Sequence, residues 1–325
     1  MLKLAILDDY LRTAQKISDW SPLQGRVAID VFDRNLKLPA EAAKALAPYD
    51  ILCLMRERMD MPRALLERLP NLKYVAATGP RNRTIDLEYC TARGIPVSHT
   101  GALPSSLHAT PELAWGLVLA TARHIAFEDR KMHQGGWQNT IGMTLYGRTL
   151  GLLGLGRLGR RVAEYGRVFG MRVIAWSTNL TDEGAAAAGA ERVDKDTLFR
   201  ESDVISIHLV LGARSKGLVG ARELGLMRPN AYLINTSRGP IVEEAALLAA
   251  LGEKRIAGAG LDVYDEEPMA DDHPLRRLDN VVLTPHLGYW TEETVYGFYN
   301  DSIEAIGAYL DGKPIRLLNP EAVKR

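Results

Sequence analysis

The stretch Thr149-Leu150-Gly151-Leu152-Leu153-Gly154-Leu155-Gly156-Arg157-Leu158-Gly159 decides the fold class. Its first half is an apolar run with the character of a buried strand, glycines interrupt it, and Arg160-Arg161-Val162-Ala163-Glu164-Tyr165 continues as a helical pattern. The segment reads as strand, tight turn and helix. A bare GxGxxG is a weak signal, because glycine is common and turns need it. This one lies between a strand and a helix and is followed by a second strand, Arg172-Val173-Ile174-Ala175-Trp176. In that context Gly154 permits the sharp turn, Gly156 lets backbone amides approach a pyrophosphate, and Gly159 lets the helix pack closely on its strand. The helix start, at Arg157 and Leu158, adds unpaired N–H groups and a positive dipole end. A dinucleotide site in a parallel α/β sheet is the expectation.

Beyond this segment the alternation of strand and helix continues. Strands are expected at residues 204–209, 231–235, 257–263 and 281–284, each nearly continuously apolar, as strands buried on both faces should be. The clearest helix between them covers 243–251. Upstream, strands at 4–7, 27–32, 51–55, 74–77 and 95–97 alternate with helices such as 40–46 and 62–69, which argues for another parallel sheet wound on both faces. That first unit carries no GxGxxG. A boundary falls near Ser98-His99-Thr100-Gly101, followed by one long helix from 104 to about 127, with Leu113, Leu117, Val118 and Ala120 at helical spacing. A last helix, 291–310, stops at Asp311-Gly312-Lys313-Pro314. The alanine run 185–188 reads as a surface helix. With 325 residues, two domains are expected.

Forty basic and forty acidic residues leave no net charge, so bulk electrostatics points to neither nucleic acid nor an anionic membrane. The two cysteines, Cys53 and Cys90, have no CxxC spacing and no ligand cluster beside them, which favours free thiols in a reducing cytosol over a disulfide or a metal site. Met1-Leu2-Lys3-Leu4-Ala5-Ile6-Leu7-Asp8-Asp9 is a short strand ending in acids rather than a signal peptide. No apolar run reaches the roughly 20 residues that cross a bilayer. A soluble, cytoplasmic protein is expected. Because the chain ends soon after the last helix, no C-terminal regulatory domain is expected either.

In open parallel sheets, ligands sit outside the carboxyl ends of the strands. Three chemically useful residues fall at such ends: Arg238 after 231–235, Glu267 after 257–263 and His286 after 281–284. All three belong to the sheet edge that carries the glycine loop. An imidazole, a carboxylate to orient it and a guanidinium fork suit a 2-oxo acid. Singly, each has a plain reading as a surface arginine, an acidic loop or a core histidine; jointly they indicate a site.

The chain resembles the D-isomer-specific 2-hydroxyacid dehydrogenases over nearly its full length. The resemblance rests on Gly154-Leu155-Gly156-Arg157-Leu158-Gly159, Asn235-Thr236-Ser237-Arg238-Gly239, Gly260-Leu261-Asp262-Val263-Tyr264-Asp265-Glu266-Glu267-Pro268 and Thr284-Pro285-His286-Leu287-Gly288. It implies a Rossmann NAD(P)-binding domain, residues 101–287, inserted into a flavodoxin-like substrate domain made of 1–100 plus 288–325, and a homodimer built through the nucleotide domains. It also implies hydride transfer between NAD(P)H and a 2-oxo acid or D-2-hydroxy acid, of the glyoxylate or hydroxypyruvate reductase kind. His286 resembles the general acid/base, Glu267 its carboxylate partner, and Arg238 the residue that holds the substrate carboxylate and polarises the carbonyl. Asp262 matches the residue that orients the nicotinamide amide. Thr236, Ser237, Gly288 and the segment His208-Leu209-Val210 match other cofactor-lining positions.

The departures matter as well. Where NAD enzymes carry an acid for the ribose diol, this chain has Trp176-Ser177-Thr178-Asn179, so Ser177 and Thr178 stand at that position and no arginine for a 2′-phosphate accompanies them. NAD and NADP both stay open, and dual use is expected. The usual proline after the His-Leu pair is Val210. In the substrate loop, Thr78-Gly79-Pro80-Arg81-Asn82-Arg83-Thr84-Ile85-Asp86, Arg81 stands in place of a small residue. It either faces solvent or serves a second anionic or polar group of the substrate, beside Gly79 and Pro80. Two further functions compete with reduction of a 2-oxo acid. One is a nucleotide-sensing module of corepressor type, for which the neutral charge offers no partner surface. The other is oxidation of formate or phosphite on the same scaffold; Glu267, where the formate branch carries glutamine, argues against formate.

Overall fold

Short apolar runs set between helices form two separate parallel sheets. In the computed structural model, which describes residues 1–101 and 104–323, contacts divide the chain into one unit of Met1–Pro104 with Thr291–Arg325 and another of Ser105–Trp290.

In the first unit the strands are β1 (Leu2–Ile6), β2 (Val27–Val31), β3 (Ile51–Leu54), β4 (Tyr74–Ala77) and β5 (Val97–His99). They pair in parallel in the order β2-β1-β3-β4-β5, the flavodoxin order. Every residue of β3 and β4 is buried, as a strand covered by helices on both faces must be. Residues 95–97 do not open β5 as expected: the Ile95 N–H closes the preceding helix turn on the Cys90 carbonyl (2.8 Å), and Pro96 has no N–H to give to a ladder. The helix Glu292–Leu310, started by the Thr291 side chain, returns to this sheet. Tyr309 stacks on Tyr74 at 4.2 Å between ring centroids, and the Tyr74 hydroxyl donates to Ser98 Oγ at 2.6 Å.

In the second unit the strands are β6 (Thr149–Leu153), β7 (Arg172–Trp176), β8 (Glu191–Arg192), β9 (Val204–Ile207), β10 (Tyr232–Asn235), β11 (Gly258–Leu261) and β12 (Val281–Leu283). Their order, β12-β11-β10-β9-β6-β7-β8, is the Rossmann order with one strand added beyond the sixth. The winding reverses between β6 and β9, and β6 is the strand that runs into the glycine loop. Strand β8 is absent from the sequence expectation because its two residues are charged and exposed, which leaves no apolar signal. The single helix expected from 104 to 127 is instead a short turn Pro104–Leu107 and two helices, Ala109–Ala122 and Ile125–His133. His124 separates the helices with a left-handed φ of +53°, which a count of apolar residues cannot detect. The alanine run is only partly superficial: the helix Asp182–Ala186 buries Ala185 completely in the core, with Ala188 beside it. Among the described residues no helix is long and apolar enough to cross a membrane.

Candidate active site

The glycine loop is built as its spacing requires. Gly154 has φ +106°, and a Cβ there would lie 2.7 Å from the His208 carbonyl oxygen, so only glycine fits between β6 and the residue after β9. A Cβ on Gly159 would lie 2.3 Å from the Gly154 carbonyl oxygen, which is the close approach of helix to strand. Gly156 differs: a Cβ there would meet nothing within 4 Å. It lies exposed at the head of the helix Arg157–Val168, where it leaves room for an outside group against the first backbone amides. Arg157 is exposed and Leu158 half-buried on the same turn.

Among the described residues, two buried polar atoms after β9 and β10, on the same edge of the sheet as this loop, lack protein partners. His208 spends Nε2 on the Ser206 hydroxyl at 2.9 Å, while its buried Nδ1 has no hydrogen-bond partner, and neither has the buried Thr236 Oγ1. Such groups are costly to bury unless something else satisfies them, and both sit at carboxyl ends of strands on the glycine-loop edge. The open face at Gly156 and these two orphaned atoms fit a dinucleotide. Leu209 is half-buried against Gly154, and Val210 is 70% exposed. After β7, Ser177 is half-buried and Thr178 exposed. Burial pushes the His208 imidazole down to about 4, so it is neutral near neutral pH.

The chemical residues come together after β10, β11 and β12. Glu267 accepts the Tyr264 N–H on Oε1 at 2.9 Å and meets His286 Nδ1 with Oε2 at 2.5 Å. Burial alone would raise this carboxyl, but the hydrogen bond and charge of His286, the Tyr264 N–H and the charge of Arg238 together hold it below the usual glutamate range. An imidazole that donates Nδ1–H to a carboxylate keeps Nε2 as its working nitrogen. The Tyr289 ring stands edge-on to the imidazole at 5.6 Å. On the β10 side, Asn235 holds the Arg238 loop through its Nδ2 on the Arg238 carbonyl (3.0 Å) and its Oδ1 on the Ser237 N–H (3.0 Å). Ser237 Oγ in turn donates to the Ile207 carbonyl at 2.8 Å. Gly239 is pressed so closely on Tyr264 that a Cβ would fall 2.3 Å from its carbonyl oxygen, which seats the Arg238 loop on the Glu267 loop.

His286 has φ +55°, a costly conformation for a residue with a side chain. Asp262 holds it there. This fully buried carboxylate accepts the Thr284 hydroxyl (2.6 Å) and the Leu287 N–H (2.7 Å) on Oδ1, and the Gly288 N–H (2.8 Å) on Oδ2. Burial raises its pKa in spite of these donors. Asp262 is thus committed to the turn that carries His286. Thr110 closes the same turn by donating to the Gly288 carbonyl at 2.8 Å. Tyr264, Thr284 and Tyr289 had no assigned part; Tyr264 and Thr284 lie within the quoted motifs, but residue type alone does not reveal that a hydroxyl or an N–H faces inward.

Gly79, Pro80 and Arg81 belong to the other unit. There Gly79 is buried with φ +85°, while Pro80 and Arg81 are exposed. No group of three or more histidine, cysteine, aspartate or glutamate residues among those described could hold a metal.

Residues 115–288 match the sequence model of the D-isomer specific 2-hydroxyacid dehydrogenase NAD binding domain. A glyoxylate reductase from Aeropyrum pernix is 39% identical over 308 residues, 91% of each chain. A phosphoglycerate oxidoreductase structure from Vibrio cholerae superposes with a TM-score of 0.90 at 34% identity, covering 96% of this chain and 100% of that one. A D-lactate dehydrogenase from Aquifex aeolicus, solved with NAD and lactic acid, gives a TM-score of 0.72 at 26% identity, covering 95% and 96%. The chain belongs to the D-isomer specific 2-hydroxyacid dehydrogenases, as an NAD(P)-dependent oxidoreductase of 2-oxo acids.

Proposed function

We propose that His286 is the acid/base of this dehydrogenase, Glu267 the carboxylate that orients it, and Arg238 the cation that receives the substrate carboxylate and polarises the carbonyl. The observation that carries the reading is the chain from the Tyr264 N–H through Glu267 to His286 Nδ1. When bound, the nicotinamide cofactor supplies or accepts the hydride at the carbon that interconverts between ketone and alcohol. In the reducing direction His286 gives its Nε2 proton to the carbonyl oxygen as that oxygen gains negative charge; in the oxidising direction it takes the hydroxyl proton back. The Glu267 carboxylate stabilises the imidazolium and fixes its ring, a role that needs the ionised form its surroundings favour. Residues suited to hold the cofactor are Gly154, Gly156, Arg157, Leu158 and Gly159 at the pyrophosphate, with Ser177, Thr178, His208, Leu209, Val210, Thr236, Ser237 and Gly288 around the rest. Asp262 we assign to the His286 turn in the first place.

The glyoxylate reductase among the relatives makes glyoxylate and hydroxypyruvate the first substrates to try. The working form in this reading is a homodimer, because one stretch of the nucleotide unit exposes Ile125 (54%), Met132 (51%), Trp137 (75%), Ile141 (95%) and Tyr146 (78%). A cytoplasmic setting agrees with two buried, unpaired cysteines. The test is NAD(P)H consumption with glyoxylate, hydroxypyruvate, pyruvate and bulkier 2-oxo acids. Turnover by the wild type supports the reading; cofactor binding without turnover of any of them overturns it in favour of a nucleotide-sensing module.

A further inference from the structure

The loop between β11 and β12 carries Glu267 and is strongly acidic. Asp265, Glu266, Asp271 and Asp272 accompany Glu267, and all four are exposed. Packing alone does not hold a carboxylate still in such a loop. Three ties close it. At its start, the Gly239 backbone is pressed on Tyr264. Further along, Arg276 donates from Nε to the Ala270 carbonyl (2.9 Å) and from Nη2 to the Met269 carbonyl (3.1 Å). At its far end, His273 accepts the Leu275 N–H on Nδ1 (3.3 Å) and sets Nε2 against Glu244 Oε1 at 3.2 Å. A ring that accepts on Nδ1 carries its proton on Nε2, so His273 donates to Glu244. Glu244 opens the helix Glu244–Gly252, which follows the Arg238 loop through the turn Gly239–Ile241. The loops of Arg238 and Glu267 are therefore joined at two places, by Gly239 on Tyr264 and by His273 on Glu244. Without a donor at 273, Glu244 would face the acidic loop as a bare like charge; partial burial and that same charge already raise the Asp265 carboxyl.

We propose that His273 is a positioning residue of the reaction: through Glu244 it holds the Glu267 loop against the Arg238 loop, and so keeps the Glu267 carboxylate on His286 Nδ1. The inference rests on the reading above, in which the Glu267–His286 pair carries the proton transfer.

The test uses the NADH-loaded protein and two readouts, the low-field proton NMR signal of His286 Nδ1–H on Glu267 and kcat for glyoxylate, with Tm and the Kd for NADH recorded for each variant. Loss of the signal in His286→Ala assigns it. His273→Asn keeps an acceptor for the Leu275 N–H but does not reach Glu244, whereas His273→Gln reaches Glu244 with an amide N–H. His273→Asn is expected to shift the signal upfield or broaden it and to lower kcat by about 10- to 100-fold, with the Kd for NADH unchanged. Glu244→Ala should do the same, and the double variant should be no worse than either single one. His273→Gln should retain the signal and most of kcat. A lowered Tm with wild-type signal and kcat in His273→Asn assigns His273 to stability alone and overturns the proposal, as does an equal loss in His273→Gln. The expected changes of signal without turnover of any 2-oxo acid support the brace while removing the proposed reaction. A signal unmoved in Glu267→Gln removes the Glu267 pairing and the brace with it.

Discussion

At the scale of single residues, the site divides into groups already committed to protein partners and groups left free to act. Glu267 has both oxygens engaged and His286 has one nitrogen engaged, so the free chemistry is at Nε2. His286→Ala is expected to lower kcat by about 10²–10⁴-fold while the Kd for NADH stays unchanged; a kcat within a few-fold of wild type contradicts the assignment. Glu267→Gln keeps the shape and loses the charge, so it should reduce kcat more than it raises KM. The depressed Glu267 carboxyl also contributes to stability. That contribution is complete above its ordinary value of about 4.3 and is lost as pH falls below this, through the lower folded value. His208 acts in a higher window. Its folded value near 4 lies below an ordinary one of about 6.5, so the unfolded chain binds the extra proton and stability falls as pH drops from about 6.5 to about 4. His208→Asn should flatten the wild-type pH dependence of unfolding free energy in that window; an unchanged slope excludes His208 as its source.

Elements decide which substitutions break the fold and which break binding. Gly159→Ala would drive a methyl into the Gly154 carbonyl, so Tm should fall with a loss of about 1–3 kcal/mol, whereas Gly156→Ala meets no protein atom and should fold normally while binding NADH more weakly. If both variants lose only stability, Gly156 does not face the cofactor. Asp262→Ala strands the Thr284 hydroxyl and two N–H groups of the His286 turn, which costs about 1–3 kcal/mol for each group left unpaired; Asp262→Asn, which keeps one acceptor, should cost less. Thermal unfolding of the pair checks this. Strands β10 and β11 were legible because burial on both faces leaves continuous apolar runs, whereas 281–284, expected to be buried on both faces, forms the edge strand β12, half-buried throughout yet still apolar; Arg238, Glu267 and His286 lie in the segments that follow these three strands. What escaped detection depends on backbone conformation or on the direction of a side chain. The left-handed His124 splits one apparent helix, exposed Glu191 and Arg192 conceal a strand, and the Asp262 carboxylate looks in sequence like any other acid of its loop.

At the scale of the whole molecule, cofactor choice and assembly follow from what the second unit presents. Without an acid after β7 to repel a 2′-phosphate, and with hydroxyls at Ser177 and Thr178, NADH and NADPH should both be used; a kcat/KM preference of several thousand-fold for either contradicts dual use. The exposed Trp137, Ile141 and Tyr146 predict a dimer by light scattering, and Ile141→Asp should shift it toward monomer. The sequence resemblance made the reaction class legible across both sheets. The most direct test of the central claim is a single turnover: NADH oxidation on mixing the NADH-loaded enzyme with a saturating 2-oxo acid, with chiral analysis of the product, for wild type and His286→Ala. If His286 is the acid/base, the wild type shows a fast phase yielding the D-2-hydroxy acid, slowed by at least about 100-fold in His286→Ala at equal cofactor occupancy. An equal rate in the two proteins, or an L-product, contradicts it.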